Sequence, residues 1–522
     1  MTKINDVNWE REPSGLIANN ENNIDNVRNL LNKTGCGFCL AKFKQVTLHL
    51  GTGMTHSCHH PTPHRIDPEA VQADPNQLFN TPELKTARRQ MLNDEKPSEC
   101  DYCWRVEDDG GMSDRYFKSL EPWALPDHDT VAASTGDEDI YPSYLEVSFS
   151  NVCNMKCTYC GPEFSSKWVE ELKSQGPVKL LEGTDKEQWA QGYQDLDTLN
   201  YKHREFNPYI DAFWRWFPDA LPHLKHYRIT GGEPLMSKET FKSMDWLIEN
   251  PNPEMEFSIN SNFSVPEKLW DRFIERLSVL RTGNRVKKIT IYTSIEGWGE
   301  RAEYARTGLD FELLRRRYEQ ILQLGNVRCV VMAAYNIFSV TSMKEMLEWL
   351  HEMKVQYNPN NSSVHLEENT GFELVPGSYG ARREANPQHH VIAGIDIPYL
   401  RHPEYLDAQY CDADMVECYM IPTLDYMSSH AASSVWGDHQ GFENYEIEKL
   451  KRIIVHRMYF NRKTRDDQNS RYDIMENRAK FYDFVNNMDR RRGTDFLKTF
   501  PEMKDFYELC RESKEAWTKI NN

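Results

Sequence analysis

The chain has 522 residues, and its formal net charge is -18 because 80 acidic side chains outnumber 62 lysines and arginines. This length predicts roughly three domains of about 150 residues each, with a substantial buried core. The excess of negative charge argues against tight binding to a nucleic-acid backbone as the main function, although it leaves room for a local basic groove.

The first residues and the cysteines both indicate a cytoplasmic protein. The N-terminus lacks the apolar core of a signal peptide, and no stretch approaches about 18 uncharged apolar residues, so we expect no membrane contact. Twelve cysteines in a reducing compartment are not expected to form disulfides. Eight of them precede residue 161, and this clustering predicts metal binding.

The chain begins with a cysteine-rich segment, residues 1–112, that has only a patchy helix or strand pattern. Residues 113–140 are expected to be a linker, because 127–139 are small, polar and acidic. The cysteines of the first segment are Cys36, Cys39, Cys58, Cys100 and Cys103.

From residue 141 strands and helices alternate about six times. Leu145, Val147 and Phe149 alternate as in a strand. Strands are predicted at 143–150, 226–230, 256–260, 288–295, 327–333 and 391–397. Helices are predicted at 237–250, 266–280, 310–324 and 341–354. This alternation predicts an α/β fold with a parallel sheet, doubly wound or curled into an incomplete barrel, with its site at the carboxyl ends of the strands.

The turn after the first of these strands reads "CNMKCTYC" and contains Cys153, Cys157 and Cys160. A structural zinc site or a closed iron–sulfur cluster needs four protein ligands. Three thiolates can instead hold three irons of a cubane cluster and leave the fourth iron open to a small molecule. A zinc site completed by a distant residue, or thiols that are close by chance, are the alternatives.

This C-x3-C-x2-C spacing, with Tyr159 before the last cysteine, resembles the signature of the radical S-adenosylmethionine (SAM) superfamily. The resemblance implies a partial (β/α)6 TIM-type barrel over residues 141–400, with Cys153, Cys157 and Cys160 as ligands of a catalytic 4Fe-4S cluster that binds SAM. In that family, reduction of the cluster cleaves SAM to a 5′-deoxyadenosyl radical, which abstracts hydrogen from a substrate.

Downstream segments match the same family in order. "TGGEP" is similar to the motif that receives the SAM ammonium, and "NSN" and "SIEG" resemble segments that reach the ribose and carboxylate. Arg306 stands where relatives keep an arginine for the SAM carboxylate, with a surface salt bridge as the alternative. Met332 would line the adenine, although core packing explains it equally well. The residues implied to bind SAM are Tyr159, Gly231, Gly232, Glu233, Pro234, Asn260, Asn262, Ser294, Glu296, Arg306 and Met332.

The N-terminal cysteines resemble the auxiliary-cluster modules called SPASM or twitch, which usually follow the barrel. Their leading position, and "NNMDRRRGTDFLKTFPEM" near the C-terminus, resemble a group of twitch domain-containing radical SAM proteins. The likeness extends in patches over about residues 36–510. It implies an auxiliary iron–sulfur cluster, with a four-cysteine zinc site as the alternative and Cys36 as spare or a rival to Cys39. The implied metal ligands are Cys39, Cys58, Cys100 and Cys103.

The resemblance implies an enzyme that modifies a peptide or protein side chain by oxidation or bond formation. A small-molecule or nucleotide substrate is the second enzymatic alternative. An electron donor such as flavodoxin or ferredoxin would reduce the catalytic cluster. The non-enzymatic alternative is an iron–sulfur electron carrier or a zinc-stabilised interaction protein.

Three further features are less specific. Residues 401–522 are expected to form a mainly helical extension, in which "DRRRG" at 489–493 could clamp an anion or end a charged helix. The run "HSCHHPTPH" could supply proton carriers or unusual ligands, or hydrogen-bonded loop side chains. Its histidines are His56, His59, His60 and His64. The later cysteines, expected to be buried thiols, are Cys329, Cys411, Cys418 and Cys510.

Overall fold

The structure is a computed structural model. It describes residues 3–11, 17, 20–181, 187–188, 200–202, 205–358, 392–432, 439–464 and 467–521. Of the polar stretch 355–390, expected to be an insertion or loop, residues 355–357 are instead the end of a helix, and 359–390 lie outside the described residues.

A mostly parallel sheet carries the fold. The strands of the described residues are β1 Gln45–His49, β2 Met54–His56, β3 His64–Arg65, β4 Tyr144–Ser148, β5 Lys156–Cys157, β6 Val178–Lys179, β7 Glu187–Gln188, β8 His226–Thr230, β9 Asn252–Ser261, β10 Val286–Ser294, β11 Arg306–Thr307, β12 Arg328–Met332 and β13 Ala393–Asp396. The large sheet has the order β13-β12-β10-β9-β8-β4-β1-β2-β3. In this order each strand from β13 to β1 is parallel to its neighbour, whereas β2 pairs antiparallel with β1 and β3 pairs antiparallel with β2. The parallel strands follow chain order without the reversal that defines a doubly wound sheet.

Helices connect the parallel strands. The helices of the described residues are α1 Glu21–Thr34, α2 Ala41–Lys44, α3 Pro68–Ala73, α4 Pro82–Leu92, α5 Asp101–Asp108, α6 Asp114–Leu120, α7 His128–Ala132, α8 Ser166–Gln175, α9 Pro208–Ala220, α10 Lys238–Glu249, α11 Glu267–Leu280, α12 Gly299–Ala305, α13 Phe311–Gln323, α14 Met343–Tyr357, α15 Ala413–Met415, α16 Ile421–Ser429, α17 Asn444–Thr464, α18 Gln468–Arg492, α19 Phe496–Thr499 and α20 Lys504–Asn521. The predicted helices after residue 236 are confirmed as α10, α11, α13 and α14. Ser237 caps α10 by accepting a hydrogen bond from the backbone N–H of Glu239, and Asp310 caps α13 in the same way.

The two faces of the sheet differ in chemistry. One face is apolar and packs into the main core through Val46, Leu48, Leu145, Val147, Ile229, Ile259 and Ile291. The opposite face carries a polar row in register, formed by Thr47, Glu146, Arg228, Ser258 and Thr290. A parallel sheet that is covered by helices is usually apolar on both faces, so the polar face indicates a place for polar ligands.

The N-terminal segment shares this sheet. β1 lies beside β4 in parallel register, from the pair Gln45 and Tyr144 to the pair His49 and Ser148. A second apolar core lies within the N-terminal region and includes Trp104. Residues 1–112 therefore contribute both to their own core and to the central sheet.

Residues 113–140 differ from the linker predicted there, because they form α6 and α7 and pack into the second core. Arg115 is buried and donates a hydrogen bond to the Phe38 carbonyl at 3.0 Å. His128 and Val131 of α7 are also buried. The small and acidic composition of this stretch conceals apolar positions at helical spacing, which is why it resembles a linker in sequence.

The C-terminal region is mainly helical, and a buried ion pair joins it to the sheet. Lys354 Nζ of α14 lies 2.8 Å from Glu446 Oε2 of α17, and both side chains are fully buried. The same carboxylate accepts hydrogen bonds from the backbone N–H groups of Ile395 and Glu443. Among the described helices, none combines the length and apolar character needed to span a bilayer.

Removing one partner of the Lys354–Glu446 ion pair should lower the stability of the folded protein. Lys354→Met leaves Glu446 as an uncompensated buried charge, so we expect the free energy of unfolding to fall by about 3–5 kcal/mol. Lys344→Met on the same helix is the control, because the exposed Lys344 lies 3.8 Å from Glu348 and its loss should cost at most about 0.5 kcal/mol. Denaturant titration at pH 7 measures both values, and equal values would contradict the ion-pair account.

Candidate functional site

The sequence-predicted SAM-binding residues and the three-cysteine turn lie at or near the carboxyl edge of the parallel sheet. Ser148 at the end of β4 pairs with Thr230 at the end of β8, and Ser294 at the end of β10 pairs with Met332 at the end of β12. The segments that follow these strand ends carry the three-cysteine turn, the Gly-Gly turn and the asparagines. Parallel strands therefore bring segments far apart in sequence to one edge.

The loop that carries Cys153, Cys157 and Cys160 is fixed through its backbone. β5 pairs with β11 so that Cys157 lies opposite Arg306, and the Trp168 indole N–H donates to the Cys157 carbonyl at 2.9 Å. Burial, followed by the neighbouring Cys157, raises the pKa of the Cys153 thiol to about 12. Buried thiols of this kind become thiolates only when positive charge is supplied, as a metal cluster does.

The Gly-Gly turn after β8 packs directly on the cysteine loop. The Gly232 N–H donates to the Ser150 carbonyl at 3.1 Å, and the Glu233 N–H donates to the Val152 carbonyl at 2.8 Å. A Cβ atom on Gly232 would lie 2.4 Å from the Val152 oxygen, and Gly231 has a φ of 121°. Both positions therefore need glycine for the two loops to meet.

Glu233 ties the ends of β8 and β9 together. Its buried carboxylate accepts hydrogen bonds from the Leu235 N–H at 3.0 Å, the Ser261 hydroxyl at 2.8 Å and the Asn262 N–H at 2.7 Å. Burial raises the pKa of Glu233 to about 7, against the lowering effect of these donors. Three of roughly four acceptor positions are thus used within the protein, and one remains on Oε2. Pro234 begins the following turn.

Arg306 forms a buried ion pair with Glu296, and this excludes the surface salt bridge considered above. Its Nε lies 2.7 Å from Glu296 Oε2, and its Nη1 lies 3.6 Å from Cys157 Sγ. The Tyr159 hydroxyl donates to Glu296 Oε1 at 2.6 Å and also contacts Arg306. The guanidinium therefore faces the cysteine loop, but its charge is already paired with a carboxylate.

The remaining predicted SAM residues differ in their surroundings. Asn260 accepts a hydrogen bond from Arg228 Nε at 3.0 Å on the polar face of the sheet. Asn262 donates to the Asn154 side chain at 2.8 Å within the cysteine loop. Ser294 and Met332 are partly exposed at the strand ends. Of these residues, Asn262 has the most direct link to the three cysteines.

The N-terminal cysteines form a second set. Cys39, Cys58, Cys100 and Cys103 line one cavity together with His59 and His60. Burial raises the pKa of Cys58 to about 11 and those of Cys100 and Cys103 to about 12. Cys36 is exposed, and its thiol contacts the Asp94 carbonyl at 3.2 Å outside this cavity.

The donor chemistry of both sets fits iron–sulfur clusters, although the described side chains are not assembled around a metal. Thiolates are the usual protein ligands of such clusters, and four thiols share the N-terminal cavity while three share the loop. Among the described residues, no group of three or more His, Cys, Asp or Glu side chains is arranged to hold a metal ion.

The histidine run separates into two pairs. His60 lies 2.8 Å from Asp114 and stacks on Tyr102, and His64 lies 2.8 Å from the Thr81 hydroxyl, so both make local contacts. His56 and His59 line a different cavity, which they share with His49, Glu146 and Thr230 of β8. The sequence analysis missed His49 and Glu146, although both are polar residues at alternate positions in otherwise apolar strands.

The raised pKa of Glu233 has a consequence for stability. Burial raises the pKa of the Glu233 carboxyl from 4.5 to about 7, so the folded state holds the protonated carboxyl more tightly than the unfolded chain does. This difference contributes about 3 kcal/mol to the free energy of unfolding. The contribution is fully present below pH 4.5 and is lost as the pH rises through 7. Relative to Glu233→Gln, the wild type should therefore lose most of this advantage between pH 5 and 8. Denaturant titrations at both pH values test this, with the exposed Glu300→Gln as a control that should follow the wild type. A constant difference between wild type and Glu233→Gln would contradict it.

No protein-family model matches the chain, and no curated protein matches it.

Proposed function

We propose that the protein is a radical SAM enzyme whose catalytic cluster is held by Cys153, Cys157 and Cys160. The observation that carries the proposal is the direct packing of the three-cysteine loop on the Gly-Gly turn, through the hydrogen bonds of Gly232 and Glu233. An electron carrier needs no such turn beside its cluster. The sequential order of parallel strands supports the partial (β/α)6 barrel, because a barrel also places neighbouring strands in chain order.

The residues present fit the two groups that this activity requires. The three thiols supply cluster ligands and leave one iron position without a protein ligand, and the Gly-Gly turn lies beside them. When bound, the reduced cluster supplies the electron that cleaves the sulfonium of SAM to methionine and a 5′-deoxyadenosyl radical. Gly231 and Gly232 allow close approach of the backbone, Pro234 begins the turn that follows, and Glu233 keeps one acceptor position for an ammonium group.

The chain's own residues orient and shield this centre. Trp168 and the strand pair β5–β11 hold the cysteine loop, and Asn262 fastens Asn154 to the end of β9. Arg306 and Glu296 place a paired charge against Cys157, and Arg306 is the residue that we propose to meet the carboxylate of SAM. Burial of Cys153 and Cys157 keeps water away from two of the three thiols that would hold the cluster.

The N-terminal set supports an auxiliary iron–sulfur cluster bound by Cys39, Cys58, Cys100 and Cys103, with zinc as the alternative occupant. These four cysteines share one cavity, and the exposed Cys36 lies outside it. An auxiliary cluster can accept the electron that an oxidised substrate gives up. We therefore favour oxidation or bond formation on a peptide or protein side chain, with a small-molecule substrate as the second possibility and flavodoxin or ferredoxin as electron donor.

SAM cleavage should depend on the cysteine loop. Protein reconstituted without oxygen and given a strong reductant should convert SAM to 5′-deoxyadenosine and methionine, and Cys157→Ala should abolish this because one iron loses its ligand. Cys329→Ala in β12 is the matched control, since Cys329 is also a buried thiol but lies in the core, and it should retain most of the activity. Chromatography of the two products measures the rates. Cleavage by Cys157→Ala at the wild-type rate would refute the proposal.

Metal counting should identify the second site. Cys100→Ala should lose about four irons per chain relative to wild type, because a closed cubane cluster needs all four thiolates. Cys36→Ala should keep the full iron content, since Cys36 lies outside the cavity. Loss of zinc rather than iron from Cys100→Ala would replace the auxiliary cluster by a structural zinc site.

A further inference from the structure

An open cavity of about 460 Å³ lies between the two cysteine sites. Its lining includes Thr47, His49, His59, Glu146 and Gly231. His59 also lines the four-cysteine cavity, and Gly231 belongs to the turn that packs on the three-cysteine loop. The size is that of a ligand site, and the position connects both proposed clusters.

Two histidines meet in this cavity. His56 Nδ1 lies against the carbonyl oxygen of Cys58, and His56 Nε2 lies 3.0 Å from His49 Nε2. His49 Nδ1 has no hydrogen-bond partner among the described residues, so this ring nitrogen is open to a ligand. Burial, followed by the charge of His56, lowers the pKa of His49 to about 4, so its imidazole is uncharged at neutral pH.

Two more acceptors in the cavity lack adequate donors. Thr47 is buried, and its hydroxyl has no hydrogen-bond partner in the described structure. Glu146 receives one long hydrogen bond, from Thr230 at 3.4 Å, and Arg228 Nε stays 3.8 Å away while it donates to Asn260. A buried polar atom without a partner is costly, so such atoms commonly mark the place of a bound group.

These three groups occupy neighbouring positions on two paired strands. Thr47 lies opposite Glu146 in the register of β1 and β4, and His49 follows on the same face of β1. No lysine or arginine of the described residues lines the cavity, and the nearby Arg228 is engaged by Asn260 and Glu146, so the lining itself offers no cation to a phosphate or carboxylate. A carboxylate, an imidazole nitrogen and a hydroxyl instead match a group with several N–H donors and a positive charge.

We propose that this cavity binds the substrate of the enzyme through a primary ammonium group, held by Glu146, His49 and Thr47. The assignment of the ligand as substrate rests on the proposed radical SAM function, whereas recognition of the ammonium does not. Lysine side chains and small amines share this chemistry. Phe164 and Pro61, which also line the cavity, supply apolar contact for the carbon atoms next to the nitrogen.

Ligand-observed NMR on the reconstituted full chain tests the recognition directly. Benzylamine should bind, benzyl alcohol should bind at least tenfold more weakly, and benzoate should not bind. Nα-acetyl-lysine methylamide compared with its norleucine analogue separates a peptide source from a small amine. Binding of benzylamine alone assigns a small-molecule substrate, and binding of both assigns a side-chain substrate.

Three variants test which side chains hold the ammonium group. Glu146→Gln should weaken benzylamine binding at least tenfold, and the exposed Glu83→Gln should leave it unchanged. Thr47→Val should weaken binding several-fold while it leaves the protein equally or more stable, because it removes only a hydroxyl without a partner. A purely structural role for Thr47 would not produce that combination.

The proposal is overturned if benzylamine and benzyl alcohol bind equally, if none of the probes binds, or if Thr47→Val leaves binding unchanged. Displacement of benzylamine by S-adenosylhomocysteine would also overturn it, because the cavity would then hold the ammonium of SAM. Failure of SAM cleavage with intact amine binding would reject the proposed function alone.

Discussion

The register of the parallel sheet is the constraint on which the site depends. Strands β1, β4, β8, β9 and β10 align so that polar side chains form rows on one face, and the apolar residues between them fill the core. A shift of one residue in any strand would turn its polar side chains into the core. The same alignment brings the strand ends together, so the cysteine loop, the Gly-Gly turn and Asn262 meet at one edge.

Buried charge is concentrated where elements distant in sequence must be held together. Arg306 and Glu296 stand behind the cysteine loop, and Lys354 and Glu446 join α17 to α14. Arg492 of α18 contacts Glu171 and lies over the Trp168 ring. Arg492, one of the arginines of "DRRRG", is therefore paired with Glu171 inside the protein. It lies next to Trp168, whose indole N–H donates to the Cys157 carbonyl. Each pair stabilises its position only while both partners remain.

The regular elements were predictable from the sequence because local pattern determines them. Alternating apolar residues gave β4 and β8, and the Ser237 cap gave the start of α10. Tertiary contacts were not predictable in the same way. Nothing local distinguishes Cys39 in the cavity from the exposed Cys36. The helices of residues 113–140 have apolar positions at helical spacing, but the small and acidic residues around these positions obscure the pattern, and the packing of the helices against the second core is a tertiary contact.

Site residues were predictable where chemistry restricts the residue type. The paired glycines and the closely spaced cysteines are of this kind, since few other residues could replace them. The roles of Glu233 and Arg306 were harder to predict, because their hydrogen-bond partners come from other strands. His49 and Glu146 required the register of β1 and β4, which brings together residues nearly one hundred positions apart.

SAM is proposed to bind at the iron that the three cysteines would leave open. Electron paramagnetic resonance of the reduced Cys100→Ala variant tests this proposal, because this variant should lack the proposed auxiliary cluster and its spectrum should report the proposed three-cysteine cluster alone. The account predicts that addition of SAM changes the g values of that spectrum. A strong cluster signal that SAM leaves unchanged would contradict it.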